Sequence, residues 1–148
     1  MKKVKLFLVV AVLAISTVSL TSCSDDDNNT PEQVQPTLMG KWFFSRTGSG
    51  FGGSEVFQTY QHEIGCTKDN IELLEGSVYK DRRYAGEECT LQETTSAWSV
   101  ANNILTVTNS SETMVYEVLT LTTDKLVIRT AETAGGQTFY DTWEFTRN

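Results

Sequence analysis

The chain has 148 residues, of which 39% are hydrophobic and 21% charged, and its formal net charge at pH 7 is -7. Three of its 12 basic residues lie within the first five positions, so the chain from residue 23 onward holds 9 basic and 19 acidic residues. This balance argues against a nucleic-acid partner, which needs lysine and arginine to neutralise phosphates, and against a basic patch that binds anionic lipid.

The N-terminus predicts an export signal. Lysines at positions 2, 3 and 5 precede an apolar run at 6–15, and small residues then lead to Cys23. The sequence Leu20-Thr21-Ser22-Cys23 resembles a bacterial lipobox, which implies cleavage before Cys23 and lipid attachment to its thiol and new amino group. A helix over residues 6–20 would reach roughly 22 Å, short of the ~30 Å hydrocarbon core, so we predict a signal peptide over 1–22 and membrane attachment through the lipid.

Residues 23–36 predict a flexible, polar tether, because this segment has too few apolar residues to offset the entropy lost on ordering. Three aspartates at 25–27 follow the lipidation cysteine almost at once, an arrangement that resembles the surface-export signals of some Gram-negative lipoproteins. The resemblance implies the bacterial outer membrane, with the cell surface favoured over the periplasmic face. Solubility of the tether is the alternative explanation.

Short alternating runs from Gly40 onward predict eight antiparallel strands separated by tight turns. An all-β, up-and-down barrel over residues 37–148 satisfies this pattern, since closure removes exposed sheet edges. The strands are expected near 41–45, 70–73, 78–83, 98–100, 105–107, 113–121, 126–130 and 137–146, with turns at 75–76, 101–103, 123–124 and 135–136.

Residues 54–64 interrupt this rhythm and predict a short lid helix across one barrel end. Ser54 is a suitable N-cap, and Phe57, Tyr60 and Ile64 share one helical face. An additional strand is the alternative, because residues 56–60 also have β-propensity.

Cysteine and histidine usage predicts a disulfide and no catalytic or metal site. With Cys23 assigned to the lipid, Cys66 and Cys89 remain as a pair in an oxidising compartment, the alternative being two free thiols. The two cysteines and the single histidine, His62, cannot complete a tetrahedral zinc site. No nucleophile, acid and base occur together, so we expect a protein that is not an enzyme and uses no cofactor.

Several segments resemble the small bacterial lipocalin-like lipoprotein domain. Gly40-Lys41-Trp42 looks like the G-x-W signature of lipocalins, and the segments 66–89 and 98–107 are similar to that domain in order and spacing. Asn70, where the family often has an aspartate, and the insertion at 51–65 depart from it. The resemblance implies an eight-stranded barrel with a small-molecule or undefined ligand and no activity.

The barrel interior is the expected ligand site, although three tryptophans and other aromatic residues favour a mostly packed core over a roomy cup. Two inward candidates, Glu117 and Asp141, are acidic. Each either orients a ligand, with Arg82, Arg83 or Arg129 as possible partners, or marks a bulge that turns it outward. The candidate ligand-binding residues are Trp42, Tyr79, Trp98, Glu117, Asp141 and Trp143.

These features together predict a lipid-anchored, non-catalytic protein of the cell envelope that binds a small apolar or amphipathic ligand. The alternative is a structural or interaction module, an accessory subunit or inhibitor, whose barrel is filled and whose loops contact a protein partner. A connected apolar cavity of ~300 Å³ or more inside the barrel favours the first hypothesis, and a filled interior with an exposed apolar patch on the loops favours the second.

Overall fold

The computed structural model describes residues 37–147, which fold into an antiparallel β-barrel. The predicted signal peptide, the tether and the lipidation residue Cys23 lie outside these residues. No helix in the described part of the chain is long and apolar enough to cross a membrane. The strands are β1 (Gly40–Phe51), β2 (Ser54–Thr59), β3 (Asn70–Leu74), β4 (Val78–Ala85), β5 (Thr90–Ala101), β6 (Ile104–Thr108), β7 (Thr113–Leu121), β8 (Lys125–Ala134) and β9 (Gln137–Thr146).

Eight of these strands form the closed ring that the sequence predicts. β3 to β9 pair in chain order, and β1 closes the ring by pairing with β3 on one edge and with β9 on the other. The predicted turns are also confirmed: Asn102 and Asn103 adopt φ of 51° and 62°, and Gly135 and Gly136 adopt 61° and 79°. Both pairs supply the left-handed backbone that a two-residue hairpin turn requires.

β2 replaces the predicted lid helix, so that prediction is wrong and the alternative of an extra strand is correct for residues 54–59. Gly52 and Gly53 both have positive φ and form a two-residue turn that folds β2 back along the second half of β1. This cross-strand pairing outweighs the weak helical periodicity of the segment. The single helical element of residues 37–147 is a 3-10 turn, Glu75–Ser77.

β2 and β3 share one edge of β1 and are separated by the 60–69 loop. The loop begins where the Tyr60 N–H donates to the Ser45 carbonyl, and it ends where the Phe44 N–H donates to the Asp69 carbonyl. Its ends therefore meet at adjacent residues of β1, as in an Ω-loop. The predicted disulfide is confirmed, and it joins Cys66 of the loop to Cys89 in the turn between β4 and β5, with 5.3 Å between their Cα atoms.

The lower half of the barrel, at the end that holds the first described residues and Arg147, is filled. Its side chains are fully or almost fully buried: Leu38, Trp42, Phe44, Ile71, Leu73, Tyr79, Leu105, Val107, Leu126, Ile128 and Phe145. Sequence alternation predicts all of these as inward-facing except Leu38.

Trp42 is the centre of this packed half. Its indole N–H donates to the Leu38 carbonyl at 2.8 Å, and the Arg147 guanidinium lies 3.9 Å from its ring centroid. Arg147 also donates to the carbonyls of Thr37 and Met39, so it clamps the entry of the chain onto the barrel. Glycine is favoured at position 40, because its φ of 113° lies in a region that other residues rarely adopt, and a Cβ there would also displace the Arg147 guanidinium.

Candidate ligand-binding site

An open cavity of about 330 Å³ occupies the upper half of the barrel, and we call it the cup. The upper half ends at the turns that join β1 to β2, β4 to β5, β6 to β7 and β8 to β9. The residues that line the cup come from three strands: Thr47, Gly48 and Ser49 of β1, Val56 and Gln58 of β2, and Asp141, Thr142 and Trp143 of β9.

A β-bulge in β1 determines which of its side chains point into the cup. The pairing with β9 shifts register between Phe44 and Arg46, so the inward residues are Phe44 below the bulge and Thr47 and Ser49 above it. Ser49 pairs with Asp141 on one side and with Val56 on the other, which brings all three strands to the same level. The bulge thus exchanges the aromatic interior of the lower half for short polar side chains, and the cup remains open.

Two adjoining depressions extend the cup. One, of about 560 Å³, leads toward the upper rim, where the rings of Phe51 and Phe139 lie 6.2 Å apart. The other, of about 410 Å³, leads toward Tyr60 and shares Thr47 and Gln58 with the cup. The upper half therefore offers volumes within the range of small-molecule sites, roughly 300–1,000 Å³.

Arg83 marks the boundary between the packed and open halves. Its guanidinium lies 3.8 Å from the centroid of the Phe44 ring and forms two hydrogen bonds to Asp81, of 2.6 and 2.9 Å. A third bond, of 2.7 Å, runs to the Tyr60 hydroxyl. Burial lowers the pKa of Arg83, but the Asp81 carboxylate and the Tyr60 hydroxyl outweigh this effect and raise it above its ordinary value. Arg83 is therefore a permanent cation whose charge Asp81 already compensates.

Asp69 fastens the 60–69 loop to the barrel wall. Its carboxylate accepts from the Tyr60 hydroxyl at 2.7 Å and from the Tyr84 N–H at 2.7 Å. His62 completes the closure, since its Nδ1 accepts from the Asp69 N–H at 3.0 Å and its Nε2 contacts the Phe44 carbonyl at 2.9 Å. An Nδ1 that accepts from an amide carries no proton, so Nε2 carries the proton and donates it to Phe44. Both ring nitrogens are therefore engaged by backbone groups, which tie the 60–69 loop to this wall of the upper half.

Three tyrosines of the barrel interior have pKa values above the ordinary value of the phenol group. Burial raises the pKa of Tyr79 far above 10, and the nearby Asp81 carboxylate adds to the effect. Burial also raises the pKa of Tyr116 and of Tyr60, with added contributions from Asp81 and from the Asp69 hydrogen bond respectively. These phenols are neutral hydrogen-bonding groups throughout the physiological range.

Two of the six predicted ligand-binding residues, Asp141 and Trp143, lie in the cup. They are two positions apart on the inner face of β9, and the Trp143 ring packs edge-on against Tyr116 at 5.7 Å. Asp141 therefore takes the inward alternative that the sequence left open. Its side chain is exposed to solvent within the cup, which explains how an inward carboxylate is tolerated.

The other aromatic candidates lie away from the cup. Trp42 and Tyr79 belong to the packed lower half. Trp98 is half-buried at the lower end, where its indole N–H donates to the Leu74 carbonyl and its ring borders an apolar groove of about 630 Å³ with Val100 and Leu121. Trp42 and Tyr79 therefore belong to the packed core below the cup, and Trp98 belongs to the lower rim of the barrel.

Glu117 lies on the outer face of the barrel, where it accepts a hydrogen bond from Arg129 at 2.6 Å. The inward placement that alternation suggested is wrong, and the outward alternative holds. Met114, Tyr116 and Val118 face inward instead, opposite Val107, Leu105 and Ile128. Both faces of β7 carry apolar side chains, so alternation alone does not choose between them.

Sequence reasoning named Arg83 only as a possible partner of Glu117 or Asp141, and it missed Asp81, the carboxylate that Arg83 binds. The signal was present, because both share the inward phase of Tyr79 on β4. The lining from β2 was also missed, since Val56 and Gln58 were assigned to a helix. Among residues 37–147, no three His, Cys, Asp or Glu side chains are grouped so as to hold a metal ion.

Comparison with known proteins identifies relatives of this barrel. A family model described as a lipocalin-like domain matches residues 38–128. A lipocalin-like protein from Bacteroides uniformis ATCC 8492 superposes with a TM-score of 0.51 at 9% identity, covering 75% of this chain and 98% of that one. An uncharacterised protein from Bacteroides eggerthii DSM 20697 gives 0.51 at 10% identity, covering 76% and 100%. None of the functionally curated proteins matches the chain in sequence.

Proposed function

The chain belongs to the family of lipocalin-like domains, and on that premise we propose that it is a non-catalytic binding protein that holds a small amphipathic ligand in the cup. The observation that carries this proposal is the division of the barrel into a filled lower half and an open upper half with a cavity of about 330 Å³. The volume of this cavity lies in the range of small-molecule sites, and the largely polar lining with Val56 and Trp143 favours an amphipathic ligand over a purely apolar one.

The absence of a catalytic role is also part of the proposal. His62 is the single histidine of the chain, and both of its ring nitrogens are engaged by backbone groups of the barrel wall. A general base needs a free nitrogen within reach of a substrate proton. The imidazole that would serve most naturally as a base is thus committed to fastening the 60–69 loop.

We further propose that the protein is anchored by lipid on Cys23 in the bacterial outer membrane and displayed preferentially on the cell surface. The lipobox-like sequence and the aspartates that follow it support this location. A tether of about 14 residues, from 23 to 36, would then separate the lipid from the barrel.

Native mass spectrometry of the protein purified from its source membranes in mild detergent tests the binding function. We expect a co-purifying small molecule that is lost on denaturation. Ser49→Phe should release it, since Ser49 lines the cup, whereas Ser99→Phe places the same bulk on the exposed outer face of β5 and should retain it. A ligand-free protein, or a ligand retained by Ser49→Phe, would overturn the assignment of the cup.

An interaction module remains the rival function, and the apolar groove at the lower end is the observation that favours it. Val100 and Leu119 line this groove and are 46% and 40% exposed. Contiguous exposed apolar surface is typical of protein contact sites. The same mass spectra distinguish the two functions, because this rival requires a stoichiometric protein partner and an empty cup.

A further inference from the structure

The interior of the upper half carries more negative than positive charge. Pairing register directs three carboxylates inward, those of Asp81, Glu132 and Asp141, against one cation, Arg83. Arg83 is already committed to Asp81 through two hydrogen bonds. The other ion-paired cations of the strands bind carboxylates on the outer face: Lys41 and Arg82 with Glu72, Lys80 with Glu93, Lys125 with Glu144, and Arg129 with Glu117.

Asp141 is the uncompensated carboxylate that lines the cup itself. Its neighbours on the inner face, Ser49 and Thr130, are neutral, and no described residue forms an ion pair with it. The domain as a whole strengthens this local field, because residues 37–147 contain nine Lys and Arg against fifteen Asp and Glu. A concave site lined by one sign of charge concentrates ligands of the opposite sign.

Aromatic rings flank this carboxylate. Trp143 is its neighbour two positions along the inner face of β9, and the rings of Phe51 and Phe139 stand above it at the rim. The faces of such rings attract cations electrostatically, and more strongly where the cation is desolvated. They also provide apolar surface for the body of a ligand.

We propose that the cup selects an organic cation, namely an ammonium group on a small aromatic or aliphatic body. This inference rests on the proposed binding function and specifies the chemistry of the ligand. Asp141 receives the ammonium, Trp143 and the rim phenylalanines cover its hydrocarbon, and Arg83 with Asp81 forms a neutral floor. A carboxylate ligand would meet the uncompensated Asp141 and would be repelled.

A matched series of three probes tests this selection: 4-phenylbutylamine, 4-phenylbutanol and 4-phenylbutyrate, which share a body and differ in charge. Each is titrated calorimetrically into the full-length protein in mild detergent at pH 7, with a protein-free detergent titration subtracted. We expect the amine to bind about tenfold tighter than the alcohol, as a charge-assisted hydrogen bond provides, and the butyrate to bind most weakly.

Two isosteric variants locate the selectivity. Asp141→Asn should reduce the amine affinity about tenfold and leave the alcohol affinity within twofold. Glu117→Gln removes the same formal charge from the outer face and should preserve the preference for the amine. Melting curves of both variants establish that they are folded.

The possible outcomes distinguish a failure of the cation selectivity from a failure of the proposed ligand-binding function. Equal binding of the three probes, tighter binding of the butyrate, or an amine preference that survives Asp141→Asn overturns the cation selectivity and leaves the binding function standing. Binding of none of them also overturns it, and the ligand search by native mass spectrometry then decides the binding function by itself.

Discussion

Replacing Trp42 with alanine tests whether the filled lower half holds the barrel together. Trp42 is fully buried, its indole N–H binds the Leu38 carbonyl, and the Arg147 guanidinium packs on its ring. Truncating a buried tryptophan costs about 3–5 kcal/mol through lost burial and the cavity left behind. The orphaned Leu38 carbonyl and the lost contact with Arg147 should place the result at the upper end of this range.

Trp98→Ala is the matched control, because it removes the same side chain from a half-buried position at the lower rim. The Trp98 indole also donates one hydrogen bond to a backbone carbonyl, at 3.1 Å, so the two variants differ mainly in burial. We expect a loss of about 1–2 kcal/mol for Trp98→Ala, because its side chain is only partly buried whereas that of Trp42 is fully buried. Trp42→Phe, which keeps a ring but no N–H, should cost about 1–2 kcal/mol and remains measurable if Trp42→Ala does not fold.

The measurement is equilibrium urea unfolding of the disulfide-bonded protein followed by far-UV circular dichroism, which reports mainly on the β-sheet backbone and needs no tryptophan fluorescence. The free energy of unfolding follows from the midpoint and slope. A loss below 1 kcal/mol for Trp42→Ala, or equal losses for Trp42→Ala and Trp98→Ala, would refute the reasoning that the stability is concentrated in the lower half.

Three other predictions concern the disulfide, alkaline pH and the lipid anchor. The double variant with Cys66→Ser and Cys89→Ser should lose about 3 kcal/mol of stability, because the disulfide closes a segment with a sequence separation of 23. Amide hydrogen exchange should also become faster in the 60–69 loop. Unchanged exchange there would contradict the role of the disulfide in fastening the loop. The three interior tyrosines have raised pKa values in the folded state, so their stabilisation is complete below about pH 10 and declines as pH rises further, because the unfolded chain loses its protons first. Urea unfolding at about pH 8 and pH 10.5 should show this decline, and Tyr79→Phe should reduce it; an identical decline in that variant would show that Tyr79 does not contribute. Cys23→Ala should release the protein from membranes and abolish labelling by a lipid precursor, and unchanged sedimentation with membranes would defeat the proposed anchoring.

The ring of eight strands and its turns follow from local sequence. Alternation places Trp42 and Phe145 inward, and Asn102-Asn103 supplies the backbone geometry of a hairpin turn. The disulfide follows from cysteine arithmetic once Cys23 is assigned to the lipid. Each of these inferences needs only the residues of one strand, the residues of one turn, or the pairing of the two remaining cysteines.

The segment 54–59 resists such reasoning because two local signals compete within it. Ser54 with Phe57 and Tyr60 matches a capped helix, whereas Gly52-Gly53 followed by alternating residues matches a hairpin. Pairing with the far half of β1 decides between them, and this pairing is a long-range interaction. Tertiary contacts commonly override local propensity in this way.

The cup depends on register, which individual strands do not reveal. The bulge between Phe44 and Arg46 reverses which side chains of β1 face inward, and a one-residue shift moves every later side chain to the other face. On β7 a second irregularity follows Val118, and both faces are apolar, so the sequence leaves the direction of Glu117 open and the structure turns it outward. The direction of Asp141 was also open from the sequence, because a bulge could have turned it outward, and the regular pairing of β9 with β8 keeps it in the inward phase of Trp143 and Phe145.

The separation of the barrel into a packed half and an open half has a consequence for how such a protein diversifies. Side chains such as Ser49, Val56 and Asp141 are exposed within the cup, so exchanging them alters few of the contacts on which folding depends. Substitutions in the cup can therefore change the specificity of the barrel while its tryptophan-centred base, and with it the fold, is kept. Directed evolution confined to the upper lining should accordingly yield a high fraction of folded clones.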